Sequence, residues 1–434
     1  MTDHKGPLRI GVAGLGTVGG GVLRLLAANA GLIEARAGRP VRVVAVSARD
    51  PARDRGINLS GLRWHADPAA LAADTAVDVV VELIGGANGP AHALVSAALL
   101  AGKPVVTANK ALIAHYGATL ASIAAQTGAP LLFEAAVAGG IPVLKVLREG
   151  LAANHIQRVA GILNGTCNYI LTTMRDERRE FADVLADAQR LGYAEADPAF
   201  DIDGVDTAHK LAILAALAFN GPVDFASVYV EGIRAVSAQD IGYADELGYR
   251  IKLLGLASQS PAGVSLRVHP CLVPLSNPIA LVDGVHNAVV IEGDAVGRVV
   301  LEGRGAGAGP TASAVVADLI DIARGRTGPA WGLDPAGMVP GATVPMLAHH
   351  GAYYLRLLVQ DRAGVIADVT AALRDAGVSL ESMLQRGRGP AGDAVTVVLV
   401  THETGESAIR QALASIAALP SVVAPPALIR IEPS

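Results

Sequence analysis

The sequence predicts an α/β chain in three parts: an open parallel sheet wrapped by helices, a mixed α+β part, and a small terminal βαββαβ unit. Three observations predict it. Up to residue 134, short apolar runs alternate with helix-length stretches, the pattern of βα units stacked into a sheet covered on both faces. A glycine turn, Gly14-Leu15-Gly16-Thr17-Val18-Gly19, stands between the first strand and the first helix. After a Gly- and Pro-rich stretch at 327–350 that reads as a linker, the pattern becomes strand, helix, strand, strand, helix, strand.

The first strand is Leu8–Ala13 and its helix Val22–Ala28. In such a turn the first glycine permits the tight bend, the second lets backbone approach a pyrophosphate at the helix N-terminus, and the third lets helix and strand pack closely. Gly14, Gly16, Thr17, Val18 and Gly19 are therefore candidate cofactor contacts in a Rossmann-type dinucleotide-binding domain. The second strand, Val41–Val46, follows an insertion rich in Ala, Arg and Gly and ends at Ser47-Ala48-Arg49, before Asp50. A small polar residue followed by Arg49 suits a 2′-phosphate, which favours NADP(H); Asp50 keeps NAD(H) open. Further strands fall at Val77–Ile84, Pro104–Thr107 and Pro130–Phe133, with helices at Ala91–Ala101 and Ala111–Thr127. Ligands of open α/β sheets sit beyond the strand C-termini, which brings Thr107 and Lys110 toward the nicotinamide.

In the middle part, Glu134-Ala-Ala-Val137-Ala-Gly139-Gly140-Ile141-Pro142 bends after a strand, and an irregular loop of this kind offers backbone carbonyls to a hard cation. Asn164-Gly165-Thr166-Cys167-Asn168-Tyr169 is a second turn dense in hydrogen-bonding groups. The most informative stretch is Glu195-Ala-Asp-Pro-Ala-Phe-Asp201-Ile-Asp203-Gly-Val-Asp206-Thr-Ala-His-Lys210, which runs directly into Leu-Ala-Ile-Leu-Ala-Ala-Leu-Ala-Phe. A helix apolar nearly all round is a buried helix. Asp206 and Lys210 are neighbours on its first turns. That spacing ordinarily means a surface ion pair, but an acid cluster leading into a buried helix points to an active site. Burial pulls a lysine toward the working range of a proton donor. Strands at Val264–His269 and Ala288–Glu292 suggest an antiparallel or mixed sheet with a dimer surface. A second glycine loop, Gly303-Arg-Gly305-Ala-Gly307-Ala-Gly309-Pro310-Thr311, opens a helix at Ala312–Ala323. It serves either as a close approach of Gly305 to the cofactor or as a hinge back to the first domain.

The terminal unit reads as strand Tyr353–Val359, turn Asp361-Arg-Ala-Gly364, helix Val365–Ala376, strand Ser379–Gln385, hairpin turn Arg388–Gly392, strand Ala394–Thr401, helix Glu406–Ala418 and strand Ala427–Ile431, a ferredoxin-like arrangement. Composition narrows the rest. The chain has 434 residues, 51% of them hydrophobic, yet no uninterrupted apolar run reaches the roughly 18 residues of a membrane span. A net charge of −5 gives no basic footprint for nucleic acid. Two cysteines, Cys167 and Cys271, and an N-terminus without a cleavable signal pattern fit a reducing, cytoplasmic setting.

Together these motifs resemble those of the homoserine dehydrogenases that carry a C-terminal ACT domain: Gly14-x-Gly16-x-x-Gly19, Thr107-Ala-Asn-Lys110, Asn164-Gly-Thr-Cys-Asn-Tyr-Ile-Leu, the Glu195–Lys210 segment, and Gly303-x-Gly-Ala-Gly-x-x-Pro-Thr-Ala-Ser-Ala-Val-Val. The resemblance spans essentially the whole chain, without an upstream kinase half. It implies NAD(P)H-dependent interconversion of L-aspartate 4-semialdehyde and L-homoserine, on the route to threonine, isoleucine and methionine. It implies Lys210 as general acid–base, Lys110 and Asp206 as its helpers, and Glu195, Asp206 and Lys110 as substrate-holding residues. It further implies a sodium ion on oxygens of Glu134, Val137, Gly139 and Ile141, a homodimer or homotetramer, and threonine as effector. The family's usual Asp-x-Pro-Gly turn here has Ala363 in the proline position. The implied domains are 1–134 with about 311–340 for the dinucleotide, 135–310 for substrate and dimerisation, and 352–434 for regulation. Two rival readings are an aspartate-oxidising dehydrogenase on the same fold, which has no use for the Glu195–Lys210 segment, and a non-catalytic amino-acid sensor, which has no use for Lys110 and Lys210.

Overall fold

The structure, a computed structural model, describes residues 6–386 and 394–433. Strands β1 (Leu8–Ala13), β2 (Val41–Ser47), β3 (Arg63–His65), β4 (Val79–Glu82), β5 (Val105–Thr107) and β6 (Leu131–Leu132) form one sheet in the order β3-β2-β1-β4-β5-β6. All its pairings are parallel. The order reverses between β1 and β4, and a crevice opens beyond their C-terminal ends. The first helix, Thr17–Ala28, begins earlier than its predicted Val22. Glycine is a poor helix former, but Gly19, Gly20 and Gly21 are buried under neighbouring elements, and tertiary packing overrides propensity. The insertion before β2 holds a further helix, Ala30–Ala37. Helix Ala308–Arg324 returns the chain to this domain, where Ala312, Val315 and Leu319 join the core around Val12 and Val22.

The second sheet begins with β7 (Ile156–Ile162), β8 (Tyr229–Val230), β9 (Tyr249–Ser260), β10 (Gly263–Pro274), β11 (His286–Gly293) and β12 (Gly297–Arg304). The terminal unit adds β13 (His350–Gln360), β14 (Leu380–Gln385), β15 (Ala394–Thr401), β16 (Thr404–Gly405) and β17 (Ala427–Ile431). Its order β17-β13-β15-β14 is the predicted ferredoxin-like one. The hairpin turn predicted at Arg388–Gly392 lies outside the described residues.

Two features depart from the sequence reading. The terminal unit is not a separate bead: β17 pairs in parallel with β10, Cys271 opposite Arg430 and Leu272 opposite Ile431, so one sheet runs β12-β11-β7-β9-β10-β17-β13-β15-β14. Nor is 327–350 a free linker. Trp331 is buried against Phe133, ring centroids 4.9 Å apart, and its indole N–H donates to the Gly117 carbonyl. Farther along, the Val264 N–H donates to the Ala342 carbonyl and the Val344 N–H to the Val264 carbonyl, each at 2.8 Å. Gly and Pro report irregular backbone; they do not report that the backbone is pinned down. Between the two sheets lies helix Val205–Phe219, buried at every position from Asp206 to Ala218.

Candidate active site

The first turns of that buried helix carry the centre of the site. Lys210 Nζ donates to Asp206 Oδ2 at 2.7 Å and to the Leu163 carbonyl at 2.6 Å. Lys110 Nζ reaches the other oxygen, Asp206 Oδ1, at 2.7 Å. One carboxylate therefore joins two lysines from different halves of the protein. Lys110 opens helix Lys110–Thr127 at the end of β5, and its N-cap Asn109 accepts from the Leu112 N–H and donates to the Gly86 carbonyl. The Asn164 side-chain amide donates to both Asp206 Oδ2 and Asp201 Oδ1 at 2.8 Å. The predicted triad Lys110, Asp206 and Lys210 is thus brought together. Glu195 sits at the rim with its side chain exposed, and it adds to the negative field at Lys110.

The two lysines are pushed in opposite directions. Burial depresses the pKa of Lys210, and Lys110 adds to this against the pull of Asp206. At Lys110 burial acts the same way, but Asp206, with Asp201 and Glu195 beyond it, outweighs it and raises the pKa. Asp206 is fully buried, which opposes its charge, yet the two lysines hold its carboxyl well below the usual carboxylate range. Splitting the pKa values of paired groups in this way is how a site separates a proton-transferring group from one that stays charged.

The crevice beyond β1 and β2 is a cavity of about 380 Å³ lined by Gly14, Gly16, Ser47, Arg49, Asp50, Arg53 and Arg55, among others. A Cβ at Gly19 would stand 2.0 Å from the Gly14 carbonyl, so the turn admits glycine alone. Asp50 Oδ1 accepts from the Ala52 N–H, closing its own turn. Arg53 and Arg55, which the sequence reading passed over, join Arg49 at this wall. Thr17 and Val18 begin the helix behind the turn. Thr107 is fully buried: its hydroxyl donates to Glu82 Oε2 and accepts from the Asn109 N–H, shaping the strand-end loop from beneath. Glu82, also unnoticed in the sequence, accepts from the Ile84 and Gly85 N–H groups.

Around Glu134, the side chain and the backbone do different things. The carboxylate accepts from the Leu144 and Lys145 N–H groups, while the loop through Val137, Gly139 and Ile141 turns through positive φ at Ala138 and Gly139. Gly305 crosses this loop; a Cβ on Gly139 would lie 2.4 Å from the Gly305 carbonyl. The second glycine loop thus packs on the carbonyl loop. Among the described residues no cluster of three or more His, Cys, Asp or Glu side chains is placed to hold a metal.

Comparisons with known proteins agree along the chain. Residues 14–134 match the family profile "Homoserine dehydrogenase, NAD binding domain", residues 142–320 "Homoserine dehydrogenase" and residues 353–418 "ACT domain". A homoserine dehydrogenase of Pseudomonas aeruginosa is 47% identical over 432 residues, 98% of this chain and 99% of that protein. The crystal structure of a homoserine dehydrogenase from Thiobacillus denitrificans superposes with a TM-score of 0.93 at 48% identity, covering 98% of both chains. A hyperthermophilic archaeal homoserine dehydrogenase solved in complex with NADPH gives 0.64 at 28% identity, over 75% of this chain and 99% of that one.

Beside the triad, His209 is 4% exposed and, among the described residues, neither ring nitrogen has a hydrogen-bond partner. It packs on Phe225 at 4.3 Å, His115 at 5.1 Å and Phe200 at 5.5 Å. Burial, reinforced by His115 and the two lysines, pushes its pKa down to about 4. In the unfolded chain histidine titrates near ~6.5. The contribution of neutral His209 is thus complete above that value and is lost as pH falls toward the folded one. Urea unfolding should show stability falling from pH 6.5 to 4.5, less steeply in His209→Leu than in wild type; equal slopes would remove His209 as a cause.

Proposed function

Because the chain belongs to the homoserine dehydrogenase family, and so interconverts L-aspartate 4-semialdehyde and L-homoserine with a nicotinamide cofactor, we propose that Lys210 is its general acid–base and that Lys110, Asp206 and Glu195 hold and polarise the substrate. The observation that carries this is one buried carboxylate, Asp206, shared by two lysines from different halves of the chain, each 2.7 Å from one of its oxygens.

A bound nicotinamide supplies the hydride in the reducing direction. As the aldehyde carbon takes it, Lys210 passes an ammonium proton to the developing alkoxide oxygen. Asp206 and the Leu163 carbonyl keep Nζ aimed, so no reorganisation is needed at that moment. Lys110 stays charged and polarises the carbonyl, while Glu195 takes the substrate ammonium at the rim. In the oxidising direction neutral Lys210 accepts the hydroxyl proton. Positioned proton transfer is worth about 10²–10⁴ in rate. Lys210→Ala should lower kcat by that order in a 340 nm assay while still binding cofactor, and near-normal turnover would remove Lys210 from this role.

Gly14, Gly16, Thr17, Val18 and Gly19 would carry the pyrophosphate, and Thr107, Lys110 and Gly305 would frame the nicotinamide end. Arg49 faces the ribose of NADP(H) in preference to NAD(H): three arginines line that wall, and Asp50 is turned into its own loop. Arg49→Ala should raise the KM for NADPH more than that for NADH; equal effects on the two would leave the preference without its basis.

A sodium ion on oxygens of Glu134, Val137, Gly139 and Ile141 fits a loop turned by positive φ and closed by Gly305. The domain limits are 1–134 with about 311–340, 135–310 and 352–434; the return of helix Ala308–Arg324 to the core around Val12 and Val22 supports the second segment of the first domain. A homodimer or homotetramer is supported by the edge strand β12 with its exposed Val300, and a cytoplasmic setting by two buried, unbonded cysteines. Threonine acts as effector at the ACT turn Asp361–Gly364. It should slow NADPH oxidation in wild type and not in Asp361→Ala; inhibition persisting in the variant would place the effector elsewhere.

A further inference from the structure

A second cavity, open on one side and of about 360 Å³, lies at the seam between the middle sheet and the terminal unit, within the size range of small-molecule sites. Its floor follows from strand register. Arg158 of β7 lies opposite Ser258 of β9, and Ser258 lies opposite Ser265 of β10, so all three project from one face. Arg267 is two residues from Ser265 and shares that face. His349, His350 and Gly351 from the start of β13, and Glu432 after β17, complete the wall.

The charges are unevenly matched. Arg430 is held by Glu406 and Glu231, and Arg158 by Glu432 and Glu292. Arg267 has no carboxylate partner among the described residues. Its only hydrogen bond there is from Nη1 to His349 Nδ1, and its buried Nε has none. His349 does not balance the charge, because burial and then Arg267 itself push its pKa down to about 3. The guanidinium is half-buried; Glu432 in the same wall acts on it through space but forms its ion pair with Arg158. Arg267 is thus left without a hydrogen-bonded counter-ion, and guanidinium does not escape by losing its proton.

We infer that this cavity is a binding site for a small oxyanion, a carboxylate or a phosphate, clamped by Arg267 together with Ser258 and Ser265. A guanidinium fork matches two oxygens of either group, and serine hydroxyls donate to the remainder. The site is distinct from the ACT turn: it lies at the start of β13, whereas Asp361–Gly364 follows its end, roughly 35 Å away at about 3.3 Å per residue. Its ligand would touch the middle sheet and the terminal unit at once.

The test is calorimetric titration of the full chain at low salt with succinate and, separately, inorganic phosphate. Saturable binding of either is expected, weakened about tenfold or more in Arg267→Gln, with turnover in the 340 nm assay retained. The probe that binds identifies which oxyanion the site takes. Should Arg267→Gln fail to fold, Ser258→Ala combined with Ser265→Ala carries the test, since both hydroxyls line open space. A flat titration with both probes, as when Arg267 is already neutralised from within the protein, would overturn the site, as would unchanged affinity in the variants. Because binding is read directly, failure here is separable from failure of the assigned chemistry.

Discussion

The structure turns on one carboxylate. Asp206 is fully buried, and an isolated carboxylate there would be held neutral by the cost of leaving water. It stays charged because lysines from two different parts of the chain meet it, one on each oxygen. Lys110 can reach it only if the end of β5 and the head of helix Lys110–Thr127 are docked on the buried helix Val205–Phe219. Domain docking and the Lys110–Asp206–Lys210 geometry are therefore the same event. Removing one partner of such a group typically costs about 3–5 kcal/mol, since the other charges are left uncompensated. A site built this way is assembled by folding and stays assembled without substrate.

That economy explains what was legible in the sequence. The Asp206–Lys210 spacing on an apolar helix, the glycine turn at Gly14–Gly19 and the strand-end Lys110 are local patterns, each fixed by a short stretch of chain, and each lands where its pattern predicts. The Leu163 carbonyl was invisible because a backbone oxygen carries no side-chain signature. Glu82 was passed over as one strand residue among apolar ones, although it organises the Gly85–Gly86 loop and holds Thr107. Arg53 and Arg55 read as loop charges; only the closure of β3 beside β2 brings them to the Arg49 wall. The first helix was cut short for the converse reason, since its glycines oppose helix locally and are overruled by packing.

The strand β17 shows the limit most plainly. Nothing in Ala427–Ile431 distinguishes a terminal strand that ends its own small sheet from one that extends another. The difference lies in partners far away in sequence. Arg430 is 2% exposed, and its guanidinium grips Glu406 of the terminal unit through Nε and Nη2 while Nη1 donates to Glu231 of the middle part. Tyr353 adds a hydroxyl to Glu406. A buried arginine satisfied by both parts is a fastening that neither part can complete alone.

This fastening changes how an effector bound to the terminal unit would have to act. An effector on a tethered bead acts by changing where the bead sits. Here β17 is hydrogen-bonded to β10, β10 is paired with β9 along its whole length, and Gly255 of β9 lies against Thr207 and Leu211 of the helix that carries Asp206 and Lys210. A shift of the terminal sheet has a continuous, close-packed route to the helix of Asp206 and Lys210, and packed routes pass displacements because they have no slack to absorb them. In this chain a displacement of the terminal sheet would reach the helix of Asp206 and Lys210 through paired strands, not through a domain swinging free on a tether.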